Sequence, residues 1–355
     1  MFSYNRGEWT ELYVFFRVLG EGKLYSADEN MNKMDNSYLQ VLKVLREDVI
    51  GEKNNYIRDD DYVCIYINDE LVSKIEVKKF NEQADSLFDS IKNSTGRSFS
   101  VLETENFMHT IYVKKVKDAS HKADIFLELR DSHTGFTTET GFSIKSDFKT
   151  SKASLINASE ATNFIYELKS INNDIMNKIN SINSKNKIIE RMEFIKNNNI
   201  EMVYQDTYRI QTKKNLKRID SLFPEIIGEL LKIHYLTGNS NLKECIDILT
   251  KNDPFCFDDD YSYIYKFKKL LTACSLGLDL GKKWDGLEEA SGGIIIVQDD
   301  GDLITYHVYN RNLFETFLLN NVKFERGSTT KHKFATVYKE NDKYYIKLNL
   351  QIRYI

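Results

Sequence analysis

Proline occurs only twice in 355 residues, at Pro224 and Pro254, and no low-complexity linker separates one part of the chain from another. The four cysteines, Cys64, Cys245, Cys256 and Cys274, form no CxxC pair, so neither a zinc knuckle nor a dithiol redox motif is indicated. Free thiols suit a reducing compartment. The six histidines show neither HNH nor HExxH spacing, which argues against those nuclease and protease types. Gly20-x-Gly22-Lys23 lacks the rest of a P-loop. No run of about 18 uncharged apolar residues is present, so no membrane span is expected. The opening MFSYNRGEWTELYVFF carries charges within its apolar pattern and does not read as a signal peptide. A cytoplasmic protein is expected.

What is present is the composition of a soluble globular chain, with 41% apolar and 29% charged residues. The formal charge of −4 argues against a generally basic nucleic-acid coat but leaves room for a local basic groove. The length allows one large domain or two modest ones.

Apolar periodicity then orders the chain. Trp9, Leu12, Tyr13, Phe16 and Leu19 predict a helix over 8–19, stopped by Gly20 and Gly22. A second helix is expected over 37–47. DYVCIYI (61–67) and LVSKIEVK (71–78) flank Asn68-Asp69 and predict a hairpin. Helices over 80–93 and 99–108 precede strands over 123–130 and 140–146, with DSHTG as turn chemistry between them. Further helices are expected over 158–170, 171–200, 213–236, 241–251 and 261–276. From 291 the pattern turns to strands: IIIV (294–297), LITYHVY (303–309), FATVYK (334–339) and YYIKLNLQI (344–352), with a helix over 311–320. The fold class is α/β: a mixed β-sheet core flanked by helices, a helical middle region and a β-rich C-terminal part.

The segment HKADIFLELRDSHTGFTTETGFSIKS, residues 121–146, carries the most chemistry. Asp124 opens one apolar run and Lys145 lies near the end of the next. Two strands joined by a polar turn bring that carboxylate and that ammonium together. Side chains alternate along a strand, so Ser143 and Lys145 share one face. A carboxylate beside a lysine can bind a divalent metal and activate water against a phosphodiester. The same pair can also be plain cross-strand pairing.

The arrangement resembles the PD-(D/E)xK nuclease motif, an Asp on one strand followed by an acid, a spacer and a Lys on the next. Ala123 stands where Pro is usual and Ser143 where the second acid is usual. A single carboxylate is a weak Mg²⁺ site, so another acid must come from elsewhere. Arg6-Gly7-x-x-x-Glu11 is similar to a signature on the first helix of several nucleases of this superfamily. Glu8 and Glu160 are the alternatives to Glu11, and first-turn helix charge is the plain reading of Glu8 and Glu11.

Further blocks narrow the resemblance. NRGEWTELY (5–13), GFSIKS (141–146), LINASEATNF (155–164) and the long closing block from Gly292 to Ile355 together resemble the HpaII-like type II restriction endonucleases. The resemblance covers the chain in ordered blocks, with 171–280 the least distinctive part. It implies a Mg²⁺-dependent enzyme cutting double-stranded DNA at the palindrome CCGG. It assigns 1–170 to the catalytic core, 171–290 to a helical region and 291–355 to DNA recognition. Asp124 and Glu11 would ligate the metal, and Lys145 would orient or deprotonate the attacking water, with Ser143 supporting it.

Asn157, Ser159, Thr162 and Asn163 sit at an expected helix start, where they can reach phosphates or base edges, or simply cap the helix. Arg311, Arg326, Lys331 and Lys333 are candidates for guanine or phosphate contact. A palindromic target suits a two-fold homodimer. A noncatalytic DNA-binding protein, favoured by Ser143, and a structure-specific repair nuclease are the competing readings.

Overall fold

The computed structural model describes residues 3–116, 123–148, 151–327 and 334–355. β1 (Tyr4–Asn5) leads into α1 (Arg6–Glu21). Asn5 starts the helix: its side chain accepts the Glu8 N–H at 3.0 Å, and Glu8 Oε2 accepts the Asn5 N–H at 2.8 Å, a reciprocal capping box. Gly22, at φ 69°, closes it in the left-handed region. Five strands follow: β2 (Lys23–Ala27), β3 (Lys33–Val49), β4 (Glu52–Arg58), β5 (Tyr62–Ile67) and β6 (Glu70–Glu76). Asn68 and Asp69, at φ 48° and 70°, make the tight turn of the expected hairpin. Next come α2 (Val77–Asn93), β7 (Ser98–Phe99), α3 (Leu102–Thr110), β8 (Ile125–Asp131), β9 (Thr137–Phe148) and β10 (Ser151–Lys152).

The helix expected over 37–47 is instead part of β3. The cause is a register shift against β8 between Val41 and Lys43. It changes the buried spacing from Leu39 and Val41 to Val44, so a strand imitates a helical interval.

The chain continues through β11 (Ser154–Ile156), β12 (Asn163–Leu168), α4 (Asn173–Ser181), α5 (Lys187–Asn197) and β13 (Met202–Thr207). The helix expected over 158–170 is a short 3₁₀ turn followed by β12, in which Phe164, Tyr166 and Leu168 are buried at alternate positions. The long helix expected over 171–200 is broken into α4 and α5. Arg191 fills the break, donating to the Asn180 and Ile182 carbonyls that α4 leaves free, and to Ala335 O. Then follow α6 (Ile210–Ile219), α7 (Phe223–Thr237) with Pro224 in its first turn, α8 (Leu242–Asn252) and α9 (Ser262–Ser275).

β14 (Gly293–Val297), β15 (Leu303–His307), α10 (Arg311–Asn320) and β16 (Val322–Phe324) open the last stretch. β17 (Val337–Glu340), β18 (Lys343–Asn349) and β19 (Ile352–Tyr354) end it.

The elements group into two units. The first holds Met1–Ala153, Ser275–Gly277 and Glu288–Phe317. Of its strands, β1 and β7 form a separate two-stranded sheet and the rest a ten-stranded one. Within it β3 pairs with β2 and β8, β8 with β9, β9 with β14, β14 with β15 and β15 with β2, so this path closes on itself. β14 and β15, read from the sequence as part of a C-terminal block, therefore belong to this sheet. α1 packs on α2 and on β3 and β9, and Trp9, Leu12, Tyr13, Phe15, Phe16, Val18 and Leu19 are fully buried. A helix that is apolar nearly all round can only be an interior helix.

One buried ion pair sits in this unit. Arg46 Nη2 donates to Asp48 Oδ1 at 2.8 Å and to Lys115 O at 2.8 Å, and Asp48 Oδ2 accepts the Lys114 N–H at 2.6 Å.

The second unit holds Ser154–Cys274, Leu278–Leu287 and Leu318–Ile355. It contains a sheet in the order β13-β12-β18-β17 and a smaller one in the order β11-β19-β16. α7 packs on β13, and the Tyr166 hydroxyl donates to Gly228 O at 2.8 Å. Among the described residues no helix is long and apolar enough to cross a membrane.

Two stability predictions follow from the buried polar groups. Asp48→Ala leaves a buried guanidinium uncompensated and is expected to cost about 3–5 kcal/mol, read as a lower urea midpoint. Burial pushes His234 and His307 down to about 4. Unfolded histidine titrates near 6.5, so between those values the unfolded chain takes up protons the folded chain refuses. Stability is complete above about pH 6.5 and is lost as pH falls toward 4, by on the order of 3 kcal/mol per histidine. Urea midpoints at pH 7.5, 6 and 5 test this; a flat series would refute it.

Candidate active site

The β8–β9 hairpin is antiparallel from Ile125↔Phe142 to Arg130↔Thr137. Its turn is held by Asp131, whose Oδ1 accepts the His133 and Thr134 N–H groups at 2.7 and 2.9 Å, as the DSHTG sequence leads one to expect. Beyond Phe142, β9 runs on without β8. Its other edge stays paired in parallel with β14, from Gly293↔Phe142 to Val297↔Ser146.

Asp124 stands at this fork. Its N–H donates to Phe142 O at 2.9 Å, the last rung of the hairpin. Its carboxylate then takes over where the strand stops: Oδ2 accepts the Ile144 N–H at 2.7 Å and the Ser143 hydroxyl at 3.1 Å. A freed backbone donor is satisfied, and the carboxylate is fixed in direction. Lys145 completes the group. Its Nζ donates to Ser143 Oγ at 2.6 Å and to Ile144 O at 3.1 Å, and lies 4.0 Å from Asp124 Oδ2. The Asp124 and Lys145 side chains are 17% and 22% exposed, enough for a ligand to reach them. No described residue donates to the remaining oxygen, Asp124 Oδ1.

The pleat puts Ser143 and Lys145 on the face they share with Ile294 and Ile296 of β14. Phe142 and Ile144 point the other way, into the core shared with α1. The N-terminal helix thus packs beneath the opposite face of β9. Glu11 is half-buried there, between the buried Thr10 and Leu12. Glu8 is engaged in the helix cap, and Glu160, in the second unit, pairs with Arg209 at 2.7 Å. Among the described residues no three His, Cys, Asp or Glu side chains converge on one point. The oxygen donors at the fork are the Asp124 carboxylate, the Ser143 hydroxyl and the Ile144 carbonyl.

On β8 the Glu128 carboxylate is bound by Lys43 at 2.7 Å. The polar quartet at 157–163 divides. Asn157 is exposed and Ser159 half-buried, whereas Thr162 and Asn163 are 3% and 1% exposed. Asn349 Nδ2 donates to Ser159 O, Thr162 Oγ1 and Asn163 Oδ1, and Ser159 and Thr162 cap the 3₁₀ turn reciprocally. Thr162 and Asn163 therefore hold β12 to β18. Arg311 pairs with Glu315 at 2.9 Å and Glu288 at 3.9 Å. Arg326 is half-buried in a cavity with Lys196, Glu193 and Tyr235. Lys331 and Lys333 lie outside the described residues.

Gly141 was missed by the sequence reading. A Cβ there would lie 2.6 Å from Ala123 Cβ and 2.7 Å from the Phe126 ring. A glycine inside a strand is the signal that marks such a close approach.

The profile of the HpaII restriction endonuclease family matches residues 5–354. The chain belongs to the HpaII restriction endonuclease family. It is 32% identical over 361 residues to the type II restriction enzyme HpaII of Haemophilus parainfluenzae, covering 100% of this chain and 99% of that protein. No solved structure matches. Membership of this family rests on the whole chain, and the fork shows where in it a carboxylate, a hydroxyl and an ammonium meet.

Gly141→Ala is expected to push Ala123, and with it Asp124, off the fork. The outcome is a loss of about 1–3 kcal/mol in urea unfolding and a fall in activity larger than the stability loss explains. Unchanged stability and activity would show that Ala123 moves aside freely.

Proposed function

We propose that this restriction endonuclease cuts double-stranded DNA at CCGG with Mg²⁺, using the Asp124–Ser143–Lys145 fork. The observation that carries this reading is the hydrogen-bonded fork itself, set in a chain that matches the family along its length. The target sequence rests on family resemblance alone.

The donor chemistry fits the ion. All donors at the fork are hard oxygens, and Mg²⁺ is commonly held by one or two carboxylates plus substrate phosphate oxygens and water. Asp124, through Oδ1, would hold the ion, with phosphate oxygens and water completing its shell; Glu11, the acid expected from the sequence, lies on the helix packed against the other face of β9. When bound, the ion supplies positive charge against the phosphate oxygens and makes a water more acidic. The residues supply the rest. Asp124 is held by two donors and cannot swing away. Lys145, which donates to Ser143 Oγ and Ile144 O, would turn its ammonium to a phosphate oxygen or the attacking water. There it neutralises charge that grows as the phosphorus becomes five-coordinate. Ser143 keeps Lys145 and Asp124 in register. A palindromic target suits two copies related by a two-fold axis, and a reducing cytoplasm suits the four free thiols.

The competing reading is a noncatalytic DNA-binding protein, supported by Ser143 where a second acid is usual. Plasmid incubated with purified chain and Mg²⁺ decides between them. Discrete fragments ending within CCGG are expected from the wild type. Lys145→Ala is expected to lose at least about a hundredfold in cleavage rate while keeping its affinity for DNA in EDTA. Binding without cutting by the wild type would overturn the nuclease assignment, and junction-specific nicks would point to repair.

A further inference from the structure

One face of the β13-β12-β18-β17 sheet carries an ammonium unlike the cations around it. Arg209 pairs with Glu160, Lys213 with Asp206 at 2.9 Å, and Lys169 and Lys343 with Glu167 at 2.7 and 3.5 Å. Lys347 has no carboxylate within ion-pair distance among the described residues. Its Nζ instead lies 3.9 Å from the centre of the Tyr208 ring and 5.4 Å from that of Tyr338. The Arg209 guanidinium lies 5.7 Å from the same Tyr208 ring. Tyr208 is 38% exposed, so two cations share one aromatic ring at the surface of the second unit.

We propose that Lys347 and Arg209, gathered on Tyr208, clamp one backbone phosphate of duplex DNA, and that Glu160 holds Arg209 until that phosphate displaces it. The proposal rests on the DNA-cutting reading above. Three physical points support it. Both cations lie on one ring, and Glu160 pairs directly with Arg209 while its charge reaches Lys347 without an ion-pair contact. The Arg209–Glu160 side chains are 57% and 49% exposed, and an ion pair that open is worth little and exchanges readily for phosphate. The Tyr208 ring holds the Lys347 ammonium in place, so little freedom is lost when a phosphate arrives. Burial also pushes the Lys347 ammonium below its ordinary pKa, with only the more distant Glu160 and Glu340 charges opposing. An arriving phosphate would reverse that. A phosphate contact positions DNA and carries no sequence information.

The test is the affinity of a labelled CCGG duplex and of a scrambled duplex for the full chain in EDTA, over a series of salt concentrations. Lys347→Met keeps the stem on the rings and removes the charge. It is expected to weaken both duplexes by the same several-fold factor and to reduce the slope of log Kd against log salt by about 1. Glu160→Gln releases Arg209 and is expected to tighten both duplexes. Lys347→Arg should restore the salt slope. A wild type that binds DNA while Lys347→Met keeps its Kd and slope overturns the clamp alone. Loss confined to the CCGG duplex overturns it too, because it would make Lys347 a base reader. A wild type that binds neither duplex overturns the clamp and the nuclease reading together.

Discussion

The bond from the Ile144 N–H to the Asp124 carboxylate is the contact on which the site depends. A strand that parts from its neighbour exposes a row of backbone donors and acceptors, and each must find a partner. Here the residue just outside the ladder uses its side chain for the purpose. Solving that backbone problem fixes the carboxylate 3.1 Å from Ser143 and 4.0 Å from Lys145. One atom, Asp124 Oδ2, meets both the freed backbone N–H and the Ser143 hydroxyl.

Around that atom the structure is built to hold β9 still. Phe142 and Ile144 are locked into the core over α1, and β14 pairs with the strand's far edge. Gly141 lets Ala123 and Phe126 come close enough for the fork to form. The six strands that close on themselves leave β9 no free edge where β8 and β14 both pair with it. Elsewhere the cost of burying charge is met locally, by Asp48 for Arg46 and by carbonyls for Arg191.

Much of this was legible in the sequence. The N-terminal helix, the hairpin over 61–78 and the strand pair bearing Asp124 and Lys145 follow from period and turn chemistry. The failures have physical causes. The register shift in β3 gave a strand a helical interval. The short β12 lies centrally in its sheet, so alternation is the only sign that separates it from a helix. Asn163 and Thr162 looked like ligands because small polar residues signal surface and capped turn alike; only the Asn349 amide, 186 and 187 residues away in sequence, shows them to be interior. Asp124, Ser143 and Lys145 were legible as neighbours, but the atom-by-atom relay through Ser143 Oγ was not. Lys347 gave no signal, because its two rings come from distant parts of the chain.

The parallel register of β14 against β9 has a consequence for how the protein is made. Ile294 lies beside Ser143 and Ile296 beside Lys145, so the strand that pairs with this part of β9 arrives about 150 residues after it. A ribosome delivers those residues at roughly 5–20 per second, so the fork waits on the order of ten seconds for its neighbour. Pairing so remote in sequence is also slow to form. β9 is thus among the last parts of the first unit to be finished, and a chain stopped short of β14 would carry Asp124 and Lys145 on an incomplete sheet. Synthesis itself delays the moment at which this chain can meet DNA as an enzyme.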